Sequence, residues 1–480
     1  MGTHDSRSGM NPTDLAFTPA LEQARLIRQK IVSPLELTEL YLERIEHLNP
    51  QLGAYVTVMA EMALADAKAK TEQLAGHPSE FPPFFGVPVS VKDLNPVAGV
   101  PCAYGIKAAR NLVPAQDDYV VTQLRQAGCI LLGKTATSQL GSLPYTEPPG
   151  FPPARNPWRL EHTPGGSSGG AAAALAAGLC AIAQGSDGGG SIRGPAFCCG
   201  LVGLKASRGR ISFAPAGERL EGLAINGPLG RTVADAAALL DVLSGYVVGD
   251  PYWLPAPEPS FLTMTQQPLL DSLRIGFATA FPPLGEADVD CQAAVQETAH
   301  RLAELGHIVE AITFPDLGQL IDPFVTVWQG VLVEAAVPWL VLERMNRWLF
   351  WRAFWQRTGP YLRAVSKLPT NRSREIVAFC QPYDVVLLPT YMHPAIRIGE
   401  WRHQRPRQIL ENIIHWIAPC PPFNASGQPA IAVPTGFTAQ GLPLGVQLVG
   451  RPADEATLVA LAAQLEAQHP WSHQRPAMAI

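Results

Sequence analysis

Gly165-Gly166-Ser167-Ser168-Gly169-Gly170, the apolar run Ala171 to Ala183, and Ser186-Asp187-Gly188-Gly189-Gly190-Ser191-Ile192-Arg193 form one passage in which two glycine-serine clusters flank an alanine-rich segment. Flexible linkers do not alternate with a core-type apolar segment. The passage therefore reads as a loop, a buried helix leading into a strand, and a second loop. Without Cβ atoms, successive N–H groups can converge on one point and a reacting carbonyl can approach closely. Ser191, closing such a nest, is a candidate nucleophile with an oxyanion site in its own loop. A phosphate cradle is a poor reading, because no Gly-Lys-Ser/Thr ending follows either cluster.

A serine hydroxyl needs a base at neutral pH, usually histidine and sometimes lysine. Neither cluster contains histidine, and His162, just before a Thr-Pro turn, reads as a surface residue. Upstream, Gly86-Val87-Pro88-Val89-Ser90-Val91-Lys92-Asp93 is a short β-branched run ending in charge. Lys92 thus stands where a buried strand meets a loop, and desolvation there favours the neutral amine. It is the candidate base.

Further out, Leu37, Leu40, Tyr41, Ile45 and Leu48 recur at helical spacing behind a Ser33-Pro34 start signal, so the N-terminal segment is expected to be helical. Tyr119 to Ala127 predicts a helix and Cys129 to Leu132 a strand. Strands are also expected at Asp384 to Thr390, Ala430 to Pro434 and Leu444 to Val449, with a closing helix over Asp454 to Gln468. This helix-strand alternation is that of an α/β sheet. Between about 250 and 381 the character changes to aromatic helix. There is no internal repeat.

The 480 residues are 47% apolar and only 16% charged, with a formal net charge of −5, which offers no basic field for nucleic acid or anionic lipid. Eight scattered cysteines lack disulfide-scaffold or C-x-x-C spacing, implying free thiols in a reducing compartment. No signal segment or spanning run is visible, so a cytoplasmic location is expected. Met1-Gly2 to Ser6 fits the loose myristoylation pattern, which short sequences often match by chance.

The two clusters, with serines 24 residues apart, together with Gly200 to Lys205 and the Gly86 to Asp93 strand, resemble the amidase signature family. Asp118-Tyr119-Val120-Val121, Gly133-Lys134-Thr135 and Asn424-Ala425-Ser426-Gly427-Gln428-Pro429-Ala430 fit as well, so the likeness covers most of the chain outside the aromatic stretch. The resemblance implies a single large α/β domain with a central mixed, twisted sheet covered by helices on both faces. Within it residues 1–80 form a helical N-terminal segment, 84–245 the catalytic core, 250–381 a variable aromatic region and 382–480 the completion of the core. It further implies that Ser191 attacks, Ser167 relays its proton, and Lys92 accepts that proton and returns it to the leaving amine. A cis Gly166–Ser167 bond is implied too. Backbone N–H groups of Gly188, Gly189, Gly190 and Ser191 are the expected oxyanion donors, with Ser168, Asp187 and Arg193 in support. No metal or cofactor is expected.

The chain departs from the usual pattern at Gly188, and at Ala136 and Gln139, where Asn and Glu are common. With Pro153-Ala154-Arg155-Asn156-Pro157-Trp158 this resembles the branch containing 6-aminohexanoate cyclic-dimer hydrolase. Cys198-Cys199 reads as packed core and Asp117-Asp118 as a solvated helix start, while His393 is a weaker pocket candidate. Of Trp328, Trp339, Trp348, Trp351, Trp355, Phe324, Phe350 and Phe354, most are expected in the core and some against an apolar acyl or leaving-group pocket. The expected partners are a small amide, or a related anilide, lactam oligomer, ester or carbamate, and water; a homodimer is compatible with the sequence. Two alternatives are a glutaminase subunit of a tRNA-dependent amidotransferase and an inactive binding protein on the same fold.

Overall fold

The computed structural model describes residues 10–76, 80–267, 271–368 and 373–480. The myristoylation pattern at the N-terminus lies outside these residues. Eleven strands form one sheet: β1 (Tyr55–Val58), β2 (Pro88–Lys92), β3 (Ile130–Thr135), β4 (Ile182–Asp187), β5 (Val202–Lys205), β6 (Ile225–Gly230), β7 (Arg274–Phe277), β10 (Ile308–Ala311), β11 (Val385–Pro389), β12 (Ala430–Phe437) and β13 (Pro443–Gly450). A separate small hairpin pairs β8 (Ala280–Phe281) with β9 (Gly285–Glu286). The order in the large sheet is β1-β3-β2-β4-β6-β5-β12-β13-β11-β7-β10. β2 runs parallel to β3 and β4, and β7 runs parallel to β10 and β11, whereas the strands from β4 through β6, β5, β12 and β13 to β11 alternate in direction.

Every residue of β2, β3, β5, β6, β11 and β13 is buried, so both faces of the sheet are covered. All eight residues of the helix Gly169–Ala176 are buried, and their small side chains let it pack closely on the sheet centre. That helix leads through the turn at 177–181 into β4. The start of the helix and the end of β4 therefore lie at one edge of the sheet, and β2, parallel to β4, brings Lys92 to the same edge. Open α/β sheets bind ligands at this carboxyl edge.

The Ser33 start signal is a full capping box, with Ser33 Oγ accepting the Glu36 N–H at 3.1 Å and Glu36 Oε2 accepting the Ser33 N–H at 2.8 Å. The N-terminal segment is not helical throughout. β1 interrupts it between the helices Pro34–Leu52 and Ala60–Ala75, pairing antiparallel with β3. Likewise the 250–381 stretch supplies β7 and β10 to the main sheet beside its helices. These strands have four residues each, and β10 at the sheet edge is largely exposed, so neither alternation nor a continuous apolar run marks them.

Removing the cap with Ser33→Ala should lower unfolding stability by about 1 kcal/mol, read as a shift of the urea midpoint at unchanged slope.

Candidate active site

Lys92 is fully buried at the end of β2, and its Nζ lies 2.8 Å from Ser167 Oγ, 3.0 Å from Ser186 Oγ and 3.3 Å from Ser186 O. Burial lowers its pKa to about 7, against the opposing pull of the Asp187 charge. A neutral amine has a lone pair to accept a proton. Two other lysines are buried, and neither touches Ser167. Lys134 pairs with Asp93 Oδ1 at 3.1 Å, and Lys205, also held near 7 by burial and by the Arg193 charge, donates to Ala206 O at 2.9 Å.

The Gly166–Ser167 peptide is cis, as the resemblance implied. Ser168 ties the two glycine loops together. Its N–H donates to Ser191 O at 3.3 Å, its Oγ donates to Ser186 O at 3.2 Å, and that Oγ also accepts the Ser186 N–H at 3.3 Å.

The second loop turns around the carboxylate of Asp187. Asp187 Oδ1 accepts from Gly190 N–H at 2.7 Å, and Oδ2 accepts from Ile192 N–H at 3.1 Å. Arg193 closes on the same carboxylate with Nε to Oδ2 and Nη2 to Oδ1, both at 3.0 Å. Its remaining donors go to Cys420 O, Gln447 Oε1 and Asn424 Oδ1, and Asn424 Nδ2 returns a bond to Asp187 Oδ1 at 2.9 Å. Burial alone would raise the Asp187 carboxyl, but Arg193 and Asn424 outweigh it and hold the group below the usual carboxylate range. Because the Gly190 N–H is engaged by Asp187, it is withdrawn from the set of oxyanion donors expected from sequence. Gly190 itself is required by its φ of +120° and by Cys420, whose Cβ would lie 2.8 Å from an added methyl.

Two cavities meet at this site. One is walled mainly by apolar side chains, among them Leu143, Leu317, Ile321, Phe324, Trp328 and Ile413, and reaches Gly188, Gly189 and Ser191. The other is also walled largely by apolar groups but carries more polar ones, among them Asn95, Tyr104, Asp118, Asn226, Arg219 and Glu334, and reaches Ser167 and Ser186. Gly141, Gly188 and Leu220 belong to both. Of the aromatics singled out in the variable region, Phe324 and Trp328 thus wall the apolar cavity. Trp339, Phe354 and Trp355 are exposed, at 39%, 53% and 75%, rather than buried.

Gln139, one of the departures from the family pattern, anchors the variable region. It accepts the Glu343 N–H at 2.8 Å, donates to Val341 O at 3.0 Å, and accepts from Asn346 Nδ2 at 3.1 Å. His162 is buried, because Thr163 N–H docks this turn on Ile396 O at 2.9 Å. Asp118 is also buried, capping the helix Tyr119–Gln126 through Val120 N–H and accepting from Asn95. His393 stacks on Trp416, outside both cavities, and Cys198 and Cys199 are core. Sequence reasoning gave no role to Ser186, Asn424, Gln447 or Asn226. Ser186, in the second glycine-serine cluster, and Asn424, in the late Asn-Ala-Ser-Gly-Gln-Pro motif, lay within quoted motifs, whereas Gln447 and Asn226 carried no signal.

The Amidase family model matches residues 36–337 and 341–459. A Synechocystis sp. protein that carries the name amidase is 49% identical over 458 residues, covering 95% of this chain and 89% of the relative. The 6-aminohexanoate-cyclic-dimer hydrolase of Paenarthrobacter ureafaciens is 34% identical over 502 residues, covering 97% of this chain and 98% of the relative. A solved structure of 6-aminohexanoate cyclic dimer hydrolase with its substrate superposes with a TM-score of 0.89 at 32% identity, covering 97% of this chain and all of the other.

Arg193→Leu would leave the Asp187 carboxylate buried without its partner. Unfolding stability should fall by roughly 3–5 kcal/mol in urea titrations, far more than for the cap variant above.

Proposed function

The chain belongs to the amidase signature family and is a hydrolase of carbon-nitrogen bonds, and from that premise we propose that it cleaves small-molecule amides through an acyl-enzyme on Ser191. The observation that carries this reading is the 2.8 Å contact between Lys92 Nζ and Ser167 Oγ in a site that holds the lysine pKa near 7.

Neutral Lys92 takes the Ser167 hydroxyl proton while Ser167 takes that of Ser191, and Ser191 Oγ attacks the amide carbon. The oxyanion that forms is met by N–H groups of Gly188, Gly189 and Ser191, and each important donor of this kind is worth about 3 kcal/mol in hydrolases. When the tetrahedral species collapses, the C–N bond breaks and Ser167 protonates the departing nitrogen, drawing its own proton back from Lys92. Water then repeats the cycle on the ester, regenerating Ser191 and releasing the acid. Ser168, Asp187 and Arg193 hold the loops that present these groups.

Amides with anilide or lactam character, and esters or carbamates, fall within the reach of the same acyl transfer. The apolar cavity suits an apolar acyl or aryl group and poorly matches the carboxamide and charged ends of glutamine, which speaks against a glutaminase role. The Lys92–Ser167 contact speaks against an inactive binding protein. Eight free cysteines, all buried, accord with a cytoplasmic setting. Among the described residues no helix is long and apolar enough to cross a membrane.

Across a panel of anilides, lactam oligomers, esters, carbamates and glutamine, at least one apolar amide should be turned over, with glutamine the poorest substrate. Ser191→Ala should cut turnover by on the order of 10⁴-fold or more without loss of folding. Because only unprotonated Lys92 accepts a proton, kcat/KM should be at its plateau above pH 7 and fall about tenfold per pH unit below it, following the lysine pKa of about 7. A flat profile from pH 5 to 9 would refute the base assignment.

A further inference from the structure

The ladder between β2 and β4 pairs Val89 with Ile182 and Ser90 with Ala183 and ends there, while β4 goes on pairing with β6 as far as Asp187. Lys92 lies two residues beyond the last rung. On its other edge it stands opposite Thr135 of β3, but toward β4 its buried N–H meets a side chain: Oε1 of Gln184, itself fully buried, accepts it at 3.1 Å. A backbone N–H can only donate, so the Gln184 amide is fixed with its oxygen toward Lys92. Its Nε2 then donates to Gly185 O at 2.8 Å and to Asn95 Oδ1 and Asn226 Oδ1, each at 3.1 Å. Asn95 closes the ring, its own N–H donating to Lys92 O at 3.0 Å and its Nδ2 to Asp118 Oδ2 at 3.2 Å.

Both backbone groups of Lys92 are thus held, and from that anchored backbone its side chain places Nζ 2.8 Å from Ser167 Oγ. Gln184 lines neither cavity. Without its amide the Lys92 N–H would be a buried donor lacking an acceptor, a costly state that is relieved by admitting water or by moving the strand end. Either change would hydrate a lysine whose neutral form depends on being dry. We propose that Gln184 is a positioning residue for the reaction: it replaces the missing rung between β2 and β4, and so keeps Lys92 Nζ dry and within reach of Ser167. The proposal rests on the acyl-enzyme reading above, in which Lys92 is the base. The charged groups around the amine, Asp187 on β4 and Asp118, Arg219 and Glu334 about the second cavity, are the same in every Gln184 variant.

The test reads the rate at which an alkyl fluorophosphonate labels Ser191, its Oγ displacing fluoride, from pH 5 to 9, so no substrate need be known. The unmodified protein should show an acid limb near pH 7, set by Lys92. Gln184→Met matches the side chain in length but has neither hydrogen-bonding group. Its limb should move up by about one pH unit, slowing labelling about tenfold at pH 6 and less than about twofold at pH 9. Gln184→Asn keeps the amide on a shorter side chain and should move the limb the same way by less. Ser33→Ala, destabilised far from the site, should leave it in place. A purely structural role for Gln184 would lower the amount of labelled protein and leave the limb unmoved. An unmoved limb in the Gln184 variants, or an equal shift in Ser33→Ala, overturns the proposal; if Gln184→Met does not fold, Gln184→Asn decides alone. Absent labelling or a flat profile in the unmodified protein, or labelling that survives Lys92→Ala, sinks the base reading and this proposal with it. A sloping profile in the unmodified protein with unmoved Gln184 variants sinks this proposal alone.

Discussion

The ion pair between Asp187 and Arg193, both fully buried, is the constraint on which the rest of the site depends. It joins the end of β4 to the helix Arg193–Cys199. Through the spare guanidinium donors it also reaches Cys420 and Asn424, around the helix Pro421–Ala425, and Gln447 on β13. A buried charge is tolerable only when its partners are complete. Here every arm of the guanidinium is used, and the carboxylate also collects the N–H groups of Gly190 and Ile192. The geometry of the glycine loop is therefore set by charge satisfaction as much as by glycine freedom.

The same carboxylate opposes the effect of burial on Lys92. Desolvation drives that lysine toward the neutral form, and Asp187 pulls it back, which leaves its pKa near the middle of the physiological range. A general base is most useful when its pKa lies close to the working pH. Lys205 is similarly buried but hydrogen-bonds a backbone carbonyl, with the Arg193 charge nearby, and Lys134 is paired with Asp93. Burial alone does not distinguish these three lysines. Contact with a hydroxyl does.

The site is built from two parts of the chain. The core strands and glycine loops supply Lys92, Ser167 and Ser191. The helix Gly318–Glu334 brings Phe324 and Trp328 to the apolar wall, with Phe324 close enough that a Cβ on Gly189 would lie 3.3 Å from its ring. Gln139 and Ser142 fasten the neighbouring 341–346 segment to the core, Ser142 Oγ donating to Asn346 Oδ1 at 2.7 Å. Gln139, which departs from the family pattern, thus fastens part of the aromatic region to the core.

Much of this was legible in the residues. The Ser33 cap, the helices starting at Tyr119 and Glu455, and the strands β2, β3, β11, β12 and β13 follow from local signals that need only nearest neighbours: a capping side chain, a helical period, a run of β-branched residues. The glycine-serine clusters and the lysine at a strand end pointed to serine-dependent acyl transfer, because a nest of N–H groups and a desolvated amine are properties of short stretches of chain. Short β1, β7 and β10 escaped, since an edge or half-exposed strand has little pattern of its own. The engagement of Gly190 by Asp187, the bonds of Arg193 to residues more than two hundred positions away, the 2.8 Å contact of Lys92 with Ser167 and the separation of two cavities, one more polar than the other, were decided only by the tertiary structure. Each depends on which groups share a buried space, and desolvation and hydrogen-bond satisfaction act through distance in space rather than distance along the chain.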